Sequence, residues 1–319
     1  MTLNILYCLD DNYNYQFFSS AISVLDNLTI KVGLYIVHKN PDFLNSIPAE
    51  ISNHQNIEKL VVIEFDSKYK KFPNLNNSHV SEATYYRLFI ENLLPSNVEE
   101  ILYLDCDVIC LRDFANEMKN VSNEMKISGN AIAVNTEFIN RSLENEEEVF
   151  NRLDNNLKKY FNAGVMYIDM EKWKSKNVQQ LSLNIINEKS KILNYWDQDI
   201  LNLIFFGNYF ELEKKFNFKI TQNLSKYNSE ITDNEIFLHY MGSNKPWTLE
   251  GLLDENSKYY QENFMKISND NYHIVNNWRK YSLKIFFKNV FNYFYIKDFK
   301  YTIFIKSYFA SLIRKSSIK

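Results

Sequence analysis

Residues 101–107 read Ile-Leu-Tyr-Leu-Asp-Cys-Asp, four apolar residues followed by two carboxylates one residue apart. A short apolar run between polar residues is typical of a buried strand, because it is too short for an ordinary helix. Such a strand would deliver Asp105 and Asp107 to the carboxyl edge of an α/β sheet, where these sheets bind ligands. Side chains at i and i+2 of an extended chain point the same way, so both carboxylates can bind one divalent cation. For this motif alone, a solvated turn after a strand is the simpler interpretation.

On both sides of this stretch, apolar segments with the period of a strand alternate with segments that have the period of a helix. We expect strands at 3–9, 30–37, 58–65, 101–105, 131–134 and 160–169, and helices at 15–28, 42–52, 82–93, 171–191 and from 196 onward. The acidic, Asn-rich segment 142–158 is expected to be a solvated helix or a loop. Strands and helices in alternation predict an α/β fold with crossover helices between the strands.

The composition excludes several kinds of site. The chain of 319 residues has only 6 glycines and contains neither a G-x-G-x-x-G nor a Walker phosphate loop, so a nucleotide must be held in another way. The three cysteines, Cys8, Cys106 and Cys110, are too few for a disulfide framework and favour a reducing cytoplasm. We expect no secretory signal, because acidic residues begin at Asp10, and no spanning helix, because no apolar run reaches about 18 residues.

The charge is unevenly distributed along the chain. Residues 278–319 hold ten Lys or Arg, one acid (Asp298) and thirteen aromatic residues. Their net charge is therefore +9, and because the whole chain carries −3, the first 277 residues carry −12. Basic and aromatic residues together favour an interfacial anchor on an anionic membrane; a packed helical subdomain and a nucleic-acid-binding arm are the alternatives. The acidic charge of the first 277 residues argues against nucleic acid as a partner.

Three groups of polar or small residues stand beside predicted elements. Arg87 lies in the helix expected at 82–93, where a surface position is the simpler interpretation. Asn162-Ala163-Gly164 stands at the start of a strand, where small residues let another group approach the backbone, unless they only form a tight turn. Asp197-Gln198-Asp199 opens a helix, where acids interact favourably with the helix dipole.

A histidine and a lysine follow further along the chain. His239 closes a predicted strand, with Gly242 three residues later and Lys245 six residues later. Neutral imidazole is a common metal ligand and lysine a common phosphate partner. A single histidine at such a place is more often structural, so its weight comes from the combination with Asp105 and Asp107.

These segments form a set that occurs in order and at sensible spacing over roughly residues 3–250. Its members are Asp10-Asp11-Asn12, Tyr86-Arg87-Leu88, Tyr103-Leu104-Asp105-Cys106-Asp107, Phe161-Asn162-Ala163-Gly164-Val165, Asp197-Gln198-Asp199-Ile200-Leu201-Asn202 and His239-Tyr240-x-Gly242-x-x-Lys245-Pro246-Trp247. Together they resemble the retaining nucleotide-sugar glycosyltransferases of family 8. That family includes glycogenin and the bacterial lipopolysaccharide α-galactosyl- and α-glucosyltransferases.

The resemblance implies the GT-A fold, a mixed, mostly parallel α/β sheet flanked by helices, here with a C-terminal basic and aromatic helical appendage. We therefore divide the chain into a GT-A catalytic domain at 1–255 and a membrane-associating tail at 256–319. The resemblance also implies a UDP-sugar bound at the carboxyl edge of the sheet and Mn²⁺ as the cofactor, with Mg²⁺ as the alternative. The implied site residues are the metal ligands Asp105, Asp107 and His239; the uracil and ribose contacts Cys8, Asp10 and Asn12; the diphosphate contacts Gly242 and Lys245; the further donor-binding residues Arg87, Asp105, Asn162 and Ala163; and the catalytic residues Asp197 and Gln198, which lie near the donor sugar.

One departure from the family and one choice of mechanism bear on the chemistry. The strand at 131–134 is followed by Asn135, where lipopolysaccharide relatives often have an aspartate near the sugar, so that contact is in doubt.

Retention of configuration requires either a protein nucleophile or attack from the face of the leaving group. Asp197 is chemically the better nucleophile and Gln198 a poor one, yet we favour front-side attack, with both side chains positioning the sugar.

The function implied is the transfer of a hexose, galactose or glucose, from UDP to a lipooligosaccharide or lipopolysaccharide acceptor. The expected location is cytoplasmic and peripheral, on the inner face of a bacterial plasma membrane, where the acceptor is lipid-linked and the surface anionic. The alternatives are a family 8 transferase acting on a protein glycan or cell-surface polymer, and a non-catalytic nucleotide-sugar-binding membrane protein. The intact set Asp105, Asp107, Gln198, His239 and Lys245 favours an enzyme.

Overall fold

A computed structural model of the chain describes residues 2–66, 72–73, 81–137, 145–221, 231–242, 245–248, 251–275 and 305. Within these residues the strands are β1 Thr2–Leu9, β2 Lys31–His38, β3 Ile57–Glu64, β4 Glu100–Leu104, β5 Val108–Cys110, β6 Ile132–Thr136, β7 Phe161–Asp169, β8 Phe210–Glu211, β9 Phe218–Thr221 and β10 Phe237–Met241. The α-helices are α1 Asn14–Asn27, α2 Ala49–Ser52, α3 Ile90–Leu93, α4 Ala115–Ser128, α5 Glu146–Leu153, α6 Met170–Ser175, α7 Val178–Lys189, α8 Trp196–Phe205 and α9 Ser257–Ile267. Among the described residues, no helix has both the length and the apolar character needed to cross a membrane.

Seven of these strands form one large sheet in the order β3-β2-β1-β4-β7-β6-β8. The first four in that order are parallel, β7 runs antiparallel to both β4 and β6, and β8 is parallel to β6. The sheet is therefore mixed and mostly parallel, as predicted. The carboxyl ends of β1 and β4, two parallel neighbours, meet at the same edge.

Successive side chains of β1 pack into different cores because they point to opposite faces of the sheet. Ile5, Tyr7 and Leu9 belong to a hydrophobic cluster with α1 and α4 on one face. Leu6 and Cys8 belong to a second cluster with α7 and α8 on the other face. Helices thus cover both faces, which explains why the central strands are apolar throughout instead of alternating with polar residues.

Three short strands form a second sheet in the order β5-β10-β9, in which β5 is antiparallel and β9 parallel to β10. Only Asp105, Cys106 and Asp107 separate the end of β4 from the start of β5. The chain therefore leaves the large sheet and enters the small one within the Asp-x-Asp motif. The strand predicted at 101–105 ends one residue earlier, at Leu104, so both carboxylates lie in the corner between the sheets.

Three predicted helices differ from the observed ones. The helix predicted at 171–191 is broken at Asn177, whose φ of 55° lies in the left-handed region that asparagine tolerates better than most residues. The segment predicted at 82–93 is a 3-10 helix, Glu82–Phe89, followed by the single turn of α3. Similarly, the segment at 42–52 is a 3-10 helix, Pro41–Ser46, followed by α2. In a 3-10 helix, residues i and i+3 lie on the same side, and this aligns Thr84 with Arg87.

Helix α9 follows the predicted domain boundary at residue 255 and packs on the small sheet. Its Tyr260 and Phe264 share a hydrophobic cluster with Ile109, Leu238 and Trp247. This helix is therefore part of the packed structure of the described residues. The division at 255 itself stays a prediction. The membrane anchor predicted at 278–319 lies outside the described residues, apart from residue 305.

Candidate active site

The corner between the two sheets brings together Asp105, Asp107 and His239, and one potential ligand atom from each lies within 4.8 Å of the others. His239 lies in the middle of β10, not at the end of its strand as predicted, and pairs with Val108 of β5. That antiparallel pairing places the imidazole beside the neighbouring Asp107, with His239 Nε2 at 3.3 Å from Asp107 Oδ1. Three residues singled out separately in the sequence thus form one cluster.

The surroundings of His239 determine which ring nitrogen carries the proton. Asn162 Oδ1 accepts from the backbone N–H of Gly164, at 3.0 Å, and therefore also accepts from Asn217 Nδ2, at 2.9 Å. The amide oxygen of Asn217 is consequently turned toward His239 Nδ1, at 2.9 Å, and can only accept. Nδ1 of His239 must then carry a proton, so that a neutral imidazole at this position directs the lone pair of Nε2 at Asp107.

This donor set fits a divalent cation. Asp107 Oδ1 is buried without a hydrogen-bond partner among the described residues, and the Nε2 of a neutral His239, at 3.3 Å, would face it with a lone pair. Two acceptor atoms facing each other in a buried place are unfavourable, unless a cation lies between them. Two carboxylates and one imidazole nitrogen are ligands suited to Mn²⁺ or Mg²⁺.

Lys245 supplies positive charge beside this cluster. Its Nζ lies 2.6 Å from Asp107 Oδ2 and 2.5 Å from the carbonyl oxygen of Tyr240. Burial by itself raises the pKa of Asp107, but the contacts with Lys245 and His239 together outweigh that effect and hold the pKa of this carboxyl well below its usual range. Gly242, three residues earlier, is exposed and has a φ of 78°, a left-handed conformation that suits glycine.

Gly164 of β7 leaves room for two of the predicted metal ligands, Asp105 and His239. A Cβ at this position would lie 2.3 Å from His239 Cε1 and 3.0 Å from Asp105 Oδ2. The first distance is too short for two carbon atoms and the second is tight, so any larger residue would displace His239 and crowd Asp105. This explains the small residues that the sequence shows at the start of this strand.

Arg87 joins three parts of the site. Its Nη2 lies 2.7 Å from Asp105 Oδ1, its Nη1 donates to the carbonyl oxygen of Ala163 at 2.6 Å, and its Nε lies 2.9 Å from Asp197 Oδ2. The guanidinium also lies over the ring of Tyr103, 4.1 Å from its centre. The surface position considered for Arg87 is therefore wrong, because the side chain is only 5% exposed and holds β4, β7 and α8 together.

Asp197, at the start of α8, is a buried carboxylate held from one side by the 3-10 helix. Thr84 Oγ1 donates to Asp197 Oδ1 at 2.5 Å, and Arg87 provides the positive charge. The Nε–H of Arg87 itself donates to the carbonyl oxygen of Thr84 at 3.2 Å, so its contact with Asp197 is electrostatic. Burial raises the pKa of Asp197 to about 6, against the opposing effect of Arg87.

Gln198 and Asn162 lie beside each other between α8 and β7. Gln198 Oε1 accepts from the backbone N–H of Ala163 at 3.1 Å and from Asn162 Nδ2 at 3.3 Å. Asp199, the third polar residue of this segment, has a structural role: it accepts from Arg152 at 2.8 Å, from Tyr160 at 2.7 Å and from the backbone of Tyr195 at 2.9 Å. The segment Asp197-Gln198-Asp199 thus directs three side chains to three different sets of partners.

The residues expected around uracil and ribose lie at the carboxyl end of β1, beside that of β4. Cys8 is buried, and its pKa is raised mainly by that burial. Asp10 Oδ1 accepts from the backbone N–H of Asn12 at 3.0 Å, and this contact caps the short 3-10 helix that begins at Asp11. Asn12 is exposed.

Asn135 pairs with Asn162 in the register of β6 and β7, but its side chain has other partners. It is buried in β6, and its Nδ2 donates to the carbonyl oxygen of Leu212 at 2.9 Å. The side chain thus ties β6 to the segment after β8 and has no contact with Asn162 or Gln198 among its described hydrogen bonds.

Three residues of the site were missed by the sequence analysis: Thr84, Glu137 and Asn217. Thr84 stands three residues before Arg87, and this spacing would have indicated a shared side only if the 3-10 conformation had been known. Glu137 and Asn217 follow or precede strands without any periodic signal. Their functions depend on contacts with Asn162, Gln198 and His239, which are far away in the sequence.

Comparison with known proteins agrees with this geometry. The family model described as glycosyl transferase family 8 matches residues 4–251. A lipopolysaccharide 1,2-glucosyltransferase of Escherichia coli is 30% identical over 260 residues, 77% of this chain and 73% of that protein. General stress protein A of Bacillus subtilis is 26% identical over 260 residues, 77% of this chain and 87% of that protein.

Among solved structures, galactosyltransferase LgtC in complex with donor and acceptor sugar analogues has a similar fold. Its TM-score is 0.68 at 20% sequence identity, and the match covers 84% of this chain and 97% of that one. The mixed α/β sheet described above is accordingly the GT-A fold. With the family model matching most of its length, the chain belongs to glycosyltransferase family 8.

Proposed function

We propose that this protein is a retaining hexosyltransferase that moves galactose or glucose from a UDP-sugar to a lipid-linked oligosaccharide of the lipopolysaccharide class. The observation that carries the proposal is the cluster of Asp105, Asp107 and His239 with Lys245 at 2.6 Å from Asp107. It stands at the carboxyl edge of the sheet, where α/β folds bind nucleotides. The similarity to a lipopolysaccharide glucosyltransferase supports the acceptor class.

Departure of the nucleoside diphosphate is the step that needs positive charge. Mn²⁺, held by Asp105, Asp107 and His239, would supply a Lewis acid for the diphosphate oxygens. Lys245 stands close enough to the same cluster to bind a diphosphate oxygen and stabilise the charge that develops as the bond to the sugar breaks. Asp10 and Asn12, at the same edge of the sheet, would hold the uridine.

The sugar would lie near Arg87, Asn162, Ala163, Asp197 and Gln198. The anomeric carbon becomes positively charged in the transition state, which a carboxylate or an amide oxygen can stabilise. Because the carboxylate of Asp197 is engaged by Thr84 and Arg87, we assign it a positioning role in front-side attack and not that of a nucleophile.

The first experiment measures release of UDP. We expect the purified protein to hydrolyse either UDP-galactose or UDP-glucose slowly when Mn²⁺ is present, and UDP-N-acetylglucosamine not at all. Replacing a metal ligand, in Asp107→Asn, should lower kcat/KM at least about 100-fold, since stabilisation of the leaving group is lost. The exposed carboxylate Asp233 provides the control Asp233→Asn, which should behave as the unmodified protein. If Mn²⁺-dependent UDP binding is also absent by calorimetry, the proposal is wrong.

The crowded position of Gly164 predicts a loss of metal affinity. In Gly164→Ala, the added methyl group would displace His239 and Asp105, so Mn²⁺ should bind about 10- to 100-fold more weakly in an EPR titration. The control is Gly129→Ala at the left-handed end of α4, where no atom lies within 4 Å of the new methyl group. That variant should lose about 1 kcal/mol of stability and keep its Mn²⁺ affinity. Equal Mn²⁺ affinity in both variants would contradict this assignment.

Asp197→Asn distinguishes positioning from nucleophilic attack. Without a nucleophilic role, the variant should retain measurable turnover, lowered by about 10- to 100-fold because the charge pair with Arg87 is lost. The product should keep the α configuration by NMR. Complete loss of transfer, together with a sugar adduct on Asp197 in the unmodified protein by mass spectrometry, would assign it as the nucleophile.

We also propose that residues 278–319 anchor the enzyme on the cytoplasmic face of the plasma membrane, since ten basic residues and thirteen aromatics occur there. The full chain should sediment with vesicles rich in phosphatidylglycerol and much less with phosphatidylcholine vesicles. A chain ending at Val275 should lose this binding while keeping UDP release. Equal sedimentation of both chains with anionic vesicles would refute the anchor.

A further inference from the structure

Glu137 is a buried carboxylate in the middle of the site. It follows β6 directly, is 5% exposed, and its backbone N–H donates to the carbonyl oxygen of Tyr160 at 2.7 Å. Its Oε2 accepts from Asn162 Nδ2 at 3.1 Å and from Gln198 Nε2 at 3.4 Å. A single carboxylate oxygen therefore contacts the amides of two residues assigned above to the donor sugar.

The contacts of Gln198 determine which end of its amide faces which partner. Tyr160 donates its hydroxyl proton to Asp199 Oδ1, at 2.7 Å, so its oxygen accepts from Gln198 Nε2, at 3.1 Å. Nε2 thus faces Tyr160 and Glu137, and Oε1 faces Asn162 Nδ2 and the N–H of Ala163. All four hydrogen-bonding positions of the amide are occupied by protein groups, so the orientation of Gln198 is fixed before any substrate contact.

The same chain of hydrogen bonds reaches the metal ligand. His239 Nδ1 donates to Asn217 Oδ1, Asn217 Nδ2 donates to Asn162 Oδ1, and Asn162 Nδ2 donates to Glu137 and Gln198. We call Asn217, Asn162 and Gln198 the amide relay. At each step of this relay, the N–H group donates in the direction that leads away from His239. An ionised carboxylate only accepts, so the relay that ends at Glu137 runs in one direction, and the ring of His239 is held by donation from its Nδ1.

We propose that Glu137 is a positioning residue of the transfer reaction, which holds the Gln198 oxygen and, through the amide relay, the His239 ring in the orientations that the site uses. This inference rests on the proposed function. It also explains why residue 198 is a glutamine and not an acid: a glutamate there would place a second carboxylate about 3.4 Å from that of Glu137.

Removal of the acceptor tests the proposal. Glu137→Met has a similar volume and no acceptor, so the amide relay loses its end point. We expect kcat for Mn²⁺-dependent UDP release to fall at least about 10-fold, because the Gln198 oxygen is no longer held in place. KM for the donor should change less than about 3-fold. Glu137→Gln keeps one acceptor oxygen, so its turnover should be much closer to that of the unmodified protein than the turnover of Glu137→Met. If Glu137 only filled space, the two variants would be equally active.

The matched control is Glu211→Gln. Glu211 accepts from the backbone N–H of Thr136 at 2.8 Å and from Asn135 Nδ2 at 3.4 Å, so it contacts the same strand but neither Asn162 nor Gln198 through these bonds. Its turnover should equal that of the unmodified protein.

A second measurement tests the contact without relying on activity. Gln198→Glu places a second carboxylate beside Glu137. Repulsion between the two negative charges raises the pKa of one of these carboxyl groups, so the folded state loses stability as the pH rises through that raised pKa. Raising the pH from 5 to 8 should lower the Tm of Gln198→Glu by roughly 3 °C more than it lowers the Tm of the unmodified protein. Adding Glu137→Gln should abolish this difference. Nearby titratable groups, namely Tyr160, Asp199 behind it and Lys219 at 3.4 Å from the carbonyl of Thr136, are common to all variants.

Three results would overturn the proposal: unchanged turnover in Glu137→Met, equal impairment in Glu137→Met and Glu137→Gln, or a Tm difference in Gln198→Glu that Glu137→Gln leaves unaltered. If the unmodified protein releases no UDP, the proposed function fails, while the Tm measurement still tests the contact between Glu137 and residue 198. The two failures are therefore distinguishable.

Discussion

Negative charge in buried and partly buried places is the constraint on which the arrangement of this protein depends. Asp105, Asp107, Asp197 and Asp199 are carboxylates at or beneath one edge of the sheet, and each has a cation close by. Arg87 forms ion pairs with Asp105 and Asp197, Lys245 pairs with Asp107, and Arg152 pairs with Asp199. An unpaired buried charge costs several kcal/mol, so each pair fixes the element that carries it. Arg87, which lies on the 3-10 helix, thereby holds the start of α8 against the end of β4.

The small sheet and its covering helix complete the site. β10 supplies His239 and leads to Lys245, and it stays in place because β5, β9 and α9 pack around it. Gln261 of α9 donates to the carbonyl oxygen of Pro246 at 2.9 Å, and the N–H of Val275 donates to that of Trp247 at 2.8 Å. The helix after the predicted domain boundary therefore supports the segment that carries Lys245.

Directional hydrogen bonds connect the buried carboxylate Glu137 to His239, a predicted metal ligand. Amide groups have one donor end and one acceptor end, so a row of them between fixed partners can adopt a single orientation. Backbone N–H groups of Ala163 and Gly164 fix the oxygens of Gln198 and Asn162, and Asn217 then fixes His239. The orientation of the imidazole is in this way set by residues outside the cluster of Asp105, Asp107 and His239.

Sequence motifs predicted most of the fold and much of the site. The apolar segments predicted six of the seven strands of the large sheet to within a few residues. The structure also brings several of the predicted site residues near one another, namely Arg87, Asp105, Asp107, Asn162, Gln198, His239 and Lys245, while their roles stay predictions. The short strands β5, β8 and β9 were missed because two to four residues show no period. The break at Asn177 and the 3-10 conformation before α3 were missed because packing outweighs local helix propensity there.

The sequence by itself determined the chemical groups and the alternation of elements, because both are properties of neighbouring residues. Only the tertiary structure decided that Asp107 faces His239, that Arg87 is buried between two carboxylates, and that Glu137 contacts Gln198. These contacts join residues separated by dozens of positions in the chain. Their distances and hydrogen-bond directions follow from how strands pair and how the two sheets meet at the corner, and no local pattern of residues encodes either.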